Sequence, residues 1–491
     1  MTPARPTSTT KTPTAPTAPT APTAPFSPLA VTAPFSALNL SAPLVQAVEV
    51  LGFTSMTPVQ AESLPAMLAG KDVIAQARTG SGKTAAFGLA ALARVDVAVG
   101  RVQVLVLCPT RELADQVSGE LRRLGRFIPN LRVVTLCGGV PVRMQTPSLQ
   151  TAPQVVVGTP GRIQDHLARR TIEFEALRVL VLDEADRMLD MGFIDPISEV
   201  VAQTPAQRQT LLFSATFPDE IRSLSRTLQK RPVEVTTIDA DVDHADIEQQ
   251  FFLVDPKHKL DATAALLLHH TPTSALIFCQ TRNDVRDVTA DLDKRGFSVL
   301  ALHGELEQRE RDEVLVRFSN QSCAVLVATD VAARGLDIKG LGAVISYELP
   351  TDPDIHRHRI GRTGRAGQTG LALSLVAPRE KDRALGIQEK TGTPPRWTEL
   401  PAMPTGAAQT PAPPPMTTLL IDGGRQDKLR PGDLLGALTG DVGLPGDAVG
   451  SISIGPKQTF VAIARLHADL ALRGLQASKI KGRSFRARTL G

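Results

Sequence analysis

The sequence predicts an α/β protein: two tandem parallel-sheet domains, then a small α+β domain, behind a disordered N-terminal tail. Three observations carry that prediction. Short, continuously apolar, β-branched runs alternate with segments of helical spacing, as expected of strands covered on both faces by crossover helices. The alternation comes in two series that break near 230–247, around Arg231-Pro232. Proline is concentrated in two stretches, with 9 of the 38 in residues 1–34 and 8 in 394–415, so each reads as chain outside a packed core.

The elements follow in order. Residues 1–34 repeat Ala-Pro-Thr from Thr14 to Pro25 and hold no acidic residue, which suits an extended polyproline-like tail. The first domain, 35–235, offers strands at 72–77, 102–108, 154–158, 178–183 and 210–214, with a helix over 111–125. The second, 236–393, offers strands at 274–279, 297–302, 323–328, 343–347 and 371–376, with a helix over 282–296. Residues 394–415 end in Pro413-Pro414-Pro415 and read as a semi-rigid linker. Residues 416–491 read β-α-β-β-α-β, an RRM-like order, with strands at 417–422, 450–454, 459–464 and 484–489 and helices near 431–439 and 466–475.

Composition excludes several classes. A chain of 491 residues with 42% apolar and 21% charged residues has enough apolar content for real cores. The net charge is only +4, but residues 416–491 hold 11 basic against 6 acidic residues, and no acid follows Asp469. That asymmetry points to a nucleic-acid contact. The four cysteines form no C-x-x-C pair, so no structural metal is expected, and Cys108, Cys279 and Cys323 read as buried thiols. No apolar stretch approaches the ~20 residues of a membrane span, and prolines interrupt any signal core. A soluble, cytoplasmic protein is the expectation.

The chemistry starts at Ala77-Arg78-Thr79-Gly80-Ser81-Gly82-Lys83-Thr84, which follows a predicted strand and should open a helix. Gly80 and Gly82 let backbone N–H groups turn onto phosphate oxygens, Lys83 adds a charge at the β/γ phosphates, and the Thr84 hydroxyl can ligate Mg²⁺. The strict pattern has glycine where this chain has Ala77. Asp183-Glu184-Ala185-Asp186 follows the apolar run 178–182. There Asp183 can be the second Mg²⁺ ligand, and Glu184 can orient and deprotonate a water. ATP and Mg²⁺ are the implied substrate and cofactor.

Taken together, these strings resemble the DEAD-box ATP-dependent RNA helicase family, whose motifs recur in order between Phe35 and Arg365. The resemblance implies two RecA-like domains. It also implies that Phe35, Phe53 and Gln60 read adenine, and that Asp337 reaches the nucleotide. Pro109-Thr110-Arg111, Gly138-Gly139, Thr159, Gly161 and Arg162 would hold the RNA backbone, as would Arg282, Gln308, Arg311 and Thr329 in the second domain. Asp186, Ser214, Thr216 and His358 would couple ATP state to unwinding, and Arg362 and Arg365 would act as arginine fingers. Each domain holds half of the ATPase, so only a closed cleft would complete it.

The third domain lacks the aromatic pair of ordinary RRMs: one aromatic, Phe460, lies on its third strand and none on its first. Its basic residues are Arg425, Lys428, Arg430, Lys479, Lys481 and Arg483, and more follow toward the end. The strings around Ile421–Arg425, Arg430–Asp433, Gly436–Asp441 and Lys479–Arg483 resemble the C-terminal domain of the DbpA type of the family. That implies a target in 23S ribosomal RNA and a role in large-subunit assembly. A generic basic RNA-tethering or dimerising module is the alternative for this domain. For the whole chain the alternatives are a general RNA chaperone and an ATP-gated RNA clamp of low turnover.

Overall fold

The computed structural model describes residues 33–77, 80–237, 247–333, 340–364, 370–391, 395–403 and 410–490. The expected tail therefore lies outside the described residues except for Ala33 and Pro34. In the first domain seven parallel strands form one sheet in the order β3-β4-β2-β5-β6-β1-β7. They are β1 (Val73–Gln76), β2 (Val104–Leu107), β3 (Val133–Leu136), β4 (Val155–Gly158), β5 (Val179–Leu182), β6 (Gln209–Ser214) and β7 (Val233–Thr236). Alternate residues of one strand feed opposite faces. Val104 and Val106 join the cluster containing Phe87 and Leu121, whereas Leu105 and Leu107 join the one containing Ile163 and Met188. Both faces are therefore covered, which is why the central strands are apolar throughout.

The second domain repeats the plan with six parallel strands in the order β10-β11-β9-β12-β13-β8. These are β8 (Ile247–Leu253), β9 (Ala275–Cys279), β10 (Val299–Leu302), β11 (Val325–Thr329), β12 (Ala343–Ser346) and β13 (Gly370–Val376). The third domain has an antiparallel sheet in the order β15-β16-β14-β17. Its strands are β14 (Met416–Ile421), β15 (Val449–Ile454), β16 (Thr459–Ala464) and β17 (Ala487–Leu490). Helix Pro431–Gly436, continued by a π turn over Ala437–Asp441, and helix Ala468–Ala477 complete the expected β-α-β-β-α-β. The last strand starts three residues later than expected, because Ile480–Arg483 forms a local bridge of its own. All four cysteines are buried and free.

Two expectations need correction. First, β3, β7 and β8 were not anticipated; all three are edge strands, exposed enough to carry Thr135, Glu234 and Gln249 rather than a continuous apolar run. Second, the start of the expected linker is not free chain. Phe251 N–H donates to Arg396 O and Thr398 N–H to Phe251 O, each at 2.9 Å, so residues 396–398 pair with the outer edge of β8. Trp397 packs on Phe251 with ring centroids 5.9 Å apart, and Met403 lies against the second-domain core. Nor is the third domain isolated. The buried Thr418 hydroxyl lies 2.6 Å from Ser322 Oγ, and Asn320 Nδ2 donates to it at 3.2 Å. Met416 N–H donates to Gln321 O, so β14 is seated on the second domain.

Candidate active site

The turn after β1 makes the phosphate loop. Gly80 and Gly82 have φ of 89° and 92°, a region where only glycine is unstrained, and Gly82 caps helix Lys83–Leu92. A Cβ at Gly82 would also lie 2.5 Å from Gln60 Nε2. Thr57 Oγ1 donates to Ser81 O at 2.7 Å and Gln60 Nε2 to Gly82 O at 3.1 Å, so the segment around Gln60 grips the loop backbone. Gln60 Oε1 accepts from Thr57 N–H at 2.9 Å. Both ends of the Gln60 amide are thus engaged inside the protein, each with capacity for one further hydrogen bond. Phe35 and Phe53 stack beside it, centroids 6.1 Å apart. Ala77, buried at the end of β1, donates its N–H to Ser214 O. Arg78 and Thr79 lie outside the described residues.

The acidic string follows β5. Burial pushes the Asp183 carboxyl up to about 6, against the pull of the Lys83 ammonium. Asp183 Oδ1 and Lys83 Nζ are both buried without a hydrogen-bond partner among the described residues. Two unsatisfied groups of this kind are costly unless a ligand completes them. The ammonium suits phosphate oxygens, and the carboxylate with the Thr84 hydroxyl suits a hard divalent cation. Glu184 sits at φ 55°, ψ 54°, a strained conformation for a side-chain-bearing residue. Its carboxylate pairs with Arg187 at 2.6 Å, both side chains nearly inaccessible. Sequence reasoning missed Arg187; the signal was a charge on an otherwise apolar turn, Arg187-Met188-Leu189.

A cavity of about 380 Å³ joins these groups to the second domain. Gln60, Gly82, Lys83, Thr84, Asp183 and Glu184 line it together with Arg362. A second cavity, about 780 Å³, lies between Asp186, Thr216 and the second-domain residues Asp330, His358 and Arg359. Arg187 and Arg362 border both. Asp186 Oδ2 accepts from Ala215 N–H, Thr216 N–H and Thr216 Oγ1 at 3.0–3.1 Å, and Ser214 Oγ donates to Thr216 O at 2.6 Å. Burial, then Arg187, pushes the His358 imidazole down to about 4, so it is neutral at physiological pH. Arg359, also missed, is fully buried: it holds Asp330 through two 2.7 Å bonds and donates to Glu348 O at 2.7 Å. Arg365 and Asp337 lie outside the described residues.

The residues expected to face RNA fall in several different settings. Thr110 caps helix Arg111–Leu124 and Thr159 precedes helix Pro160–Ala168, whose second residue is Gly161; Pro109 lies just after β2 and Gly138 just after β3. Arg162 is committed elsewhere: its Nη1 donates to Cys137 O, Val140 O and Gln145 Oε1, so it braces the Gly138-Gly139 loop. Arg111, Gly139, Gln308 and Arg311 meet across the domain boundary. Arg311 Nη2 is 3.5 Å from Glu112 Oε1, Arg111 Nη2 is 3.9 Å from Asp312 Oδ2, and Gln308 crowds Gly139. Arg282 is exposed and pairs with Glu305, whereas the Thr329 hydroxyl accepts from Ala332 N–H. In the third domain Arg425, Lys428, Arg430, Lys479 and Arg483 are exposed. Lys481 instead pairs with Asp433 at 2.7 Å and donates to Lys428 O.

Comparison with known proteins gives three family matches: DEAD/DEAH box helicase over residues 57–224, helicase conserved C-terminal domain over 258–367, and DbpA RNA binding domain over 418–489. The chain is 53% identical over 442 residues to the ATP-dependent RNA helicase DbpA of Escherichia coli, covering 90% of this chain and 95% of that one. It is 46% identical over 348 residues to the ATP-dependent RNA helicase CshA of Listeria monocytogenes, covering 71% and 67%. A solved structure of S. cerevisiae Dbp5 bound to RNA and ADP BeF3 superposes with a TM-score of 0.68 at 32% identity, covering 75% of this chain and 96% of that one.

Proposed function

The chain belongs to the DEAD-box ATP-dependent RNA helicases of the DbpA type, and we propose that its ATPase cycle locally opens structured 23S ribosomal RNA during large-subunit assembly. The observation that carries the catalytic half is the shared cavity: the loop lysine and both acids come from one domain and Arg362 from the other. Lys83 would neutralise the β/γ phosphates, and Asp183 with Thr84 would hold Mg²⁺. The metal, when bound, supplies charge neutralisation at the transferring phosphoryl group. Glu184, oriented by Arg187, would accept a proton from the attacking water, and Arg362 would stabilise charge that develops in the transition state. Closure completes the site, so ATP and RNA binding across the closed face reinforce one another.

The target reading rests on the third domain. Its exposed basic residues suit an RNA backbone, and its sheet has too few aromatics for base stacking to dominate. The test is activation of ATP hydrolysis in the full chain by a 23S ribosomal RNA fragment and by an unrelated RNA of equal length. Preferential activation by the ribosomal fragment is the expected result. Equal activation by both would leave a general RNA helicase. Tight RNA binding with negligible turnover would favour the clamp, a reading that the near-complete catalytic constellation disfavours.

A further inference from the structure

The helix that brings Arg362 to the cleft rests on an edge strand, and a residue outside both ATPase halves braces that strand. Helix Pro353–Ile360 contains His358 and Arg359, and the turn that closes it carries Arg362, whose N–H donates to Arg359 O at 3.2 Å. The guanidinium of Arg362 borders both interdomain cavities. The same helix is anchored to the sheet through His356, which is almost fully buried. Its ring packs on Phe251 of β8 with centroids 6.0 Å apart, and its Nε2 lies 3.3 Å from Gln249 Oε1. Gln249 and Phe251 are alternate residues of one strand and so face the same way. The helix is thus seated on two neighbouring side chains of β8, the outermost strand of its sheet.

The free side of β8 is taken by residues 396–398. Two backbone hydrogen bonds hold this segment to Phe251, and Arg396 pairs with Glu248 at 2.7 Å. Trp397, the single tryptophan of the chain, is half-exposed and packs on Phe251 with centroids 5.9 Å apart. Phe251 therefore touches two rings, Trp397 from the edge and His356 from the helix. We infer that Trp397 is a positioning residue for ATP hydrolysis: it fixes Phe251, Phe251 fixes His356, and His356 sets the helix whose closing turn aims Arg362 at the cleft. This rests on the helicase reading, in which Arg362 is the charge supplied by the second domain, and adds a residue from beyond the last strand of that domain. Arg362 answers charge that develops only in the transition state, so an error in its placement shows in turnover and not in affinity for ATP.

The experiment uses the full chain, saturated with a 23S ribosomal RNA fragment, and measures kcat and KM for ATP well below the melting temperature of each variant. W397T keeps a residue suited to strand pairing and removes the ring. Its kcat should fall roughly 10–100-fold, as misplacement of a catalytic group by about 1 Å can do, with KM for ATP nearly unchanged. W397F, which retains a ring against Phe251, should recover most of the loss. The double variant W397T/R362Q should be no slower than R362Q alone, because Trp397 acts through Arg362. Wild-type kcat in W397T overturns the inference. So does a W397T loss that multiplies with that of R362Q, or one that lies mainly in KM and is not relieved by W397F. Should W397T be insoluble, H356L breaks the same chain of rings with the edge still covered, and wild-type kcat there is equally fatal. Undiminished turnover in R362Q by itself would remove Arg362 from the chemistry, and with it the reading on which the inference rests.

Discussion

Asp186 and Thr216 are joined twice: the Thr216 N–H and hydroxyl both donate to Asp186 Oδ2, at 3.0 and 3.1 Å. The acidic string after β5 is thereby fastened to the chain leaving β6, and His358 of the second domain lies near the same carboxylate.

Thr216→Val keeps the backbone bond and removes the hydroxyl one. Strand displacement should fall about tenfold or more while RNA-stimulated hydrolysis stays near wild type, a hydrogen bond to a charged group being worth ~1.5–3 kcal/mol. Parallel phosphate-release and duplex-unwinding assays check this. Equal losses in both would place Thr216 in the chemistry rather than the coupling.

Lys83→Ala removes the buried ammonium beside Asp183. Hydrolysis should drop by about 10²–10³, the loss typical of one preorganised electrostatic group. Binding of the ribosomal fragment, measured at constant salt, should be nearly unaffected. Retained turnover above a tenth of wild type, roughly 1.4 kcal/mol of barrier, would remove Lys83 from its role.

Arg187→Met breaks a buried ion pair from one side. Thermal unfolding of the ATP-binding domain should shift down by an amount equivalent to about 3–5 kcal/mol. Glu184→Gln, which keeps a hydrogen-bond acceptor for Arg187, should melt close to wild type, bind a fluorescent ATP analogue and hydrolyse ATP far more slowly. If Glu184→Gln were the less stable of the two, the pair would serve the fold more than the chemistry.

Glu348 gives a pH signature. Burial, reinforced by Asp284, raises its carboxyl from 4.5 to about 7, although Gln280 N–H donates to it at 3.1 Å. A raised carboxyl binds its proton more tightly in the folded chain. Its contribution to stability is therefore full at pH below 4.5 and is lost as pH rises toward 7. Glu348→Gln should flatten the decline of the melting temperature across that window and stabilise the protein at pH 8 relative to wild type. Parallel curves for the two proteins would show that Glu348 does not titrate there.

Thr418→Val leaves Asn320 and Ser322 facing an apolar group in a buried seat. A cost of about 1–3 kcal/mol is expected for the unsatisfied amide and hydroxyl. Calorimetry should show the loss in the transition that includes the second domain. A variant as stable as wild type would mean that the seat opens to water readily.

The fold was largely legible, because central strands of a parallel sheet are apolar on both faces and announce themselves. The three unanticipated strands are edges, where Thr135, Glu234 and Gln249 break the pattern. Residues that line the cavity beside Lys83 could be named from the sequence because they lie in short contiguous strings. What the strings could not tell is which partner each side chain takes. Arg162 braces the loop at Gly138-Gly139, and Arg311 reaches Glu112 nearly two hundred residues away. Arg187 and Arg359 were overlooked for the same reason: a buried arginine is identified by its partners, and those are set by the fold.

The pairing of Arg396–Thr398 with β8 bears on how the chain can be cut. An uncovered sheet edge of Phe251, Phe252 and Leu253 would present unpaired N–H and C=O groups beside apolar side chains, a ready template for strand-to-strand association with another copy. A two-domain fragment ending at residue 393 would shed that cover together with Trp397. Such a fragment should precipitate or self-associate at concentrations where one extended to residue 403 remains dispersed, even though every ATPase motif is present in both.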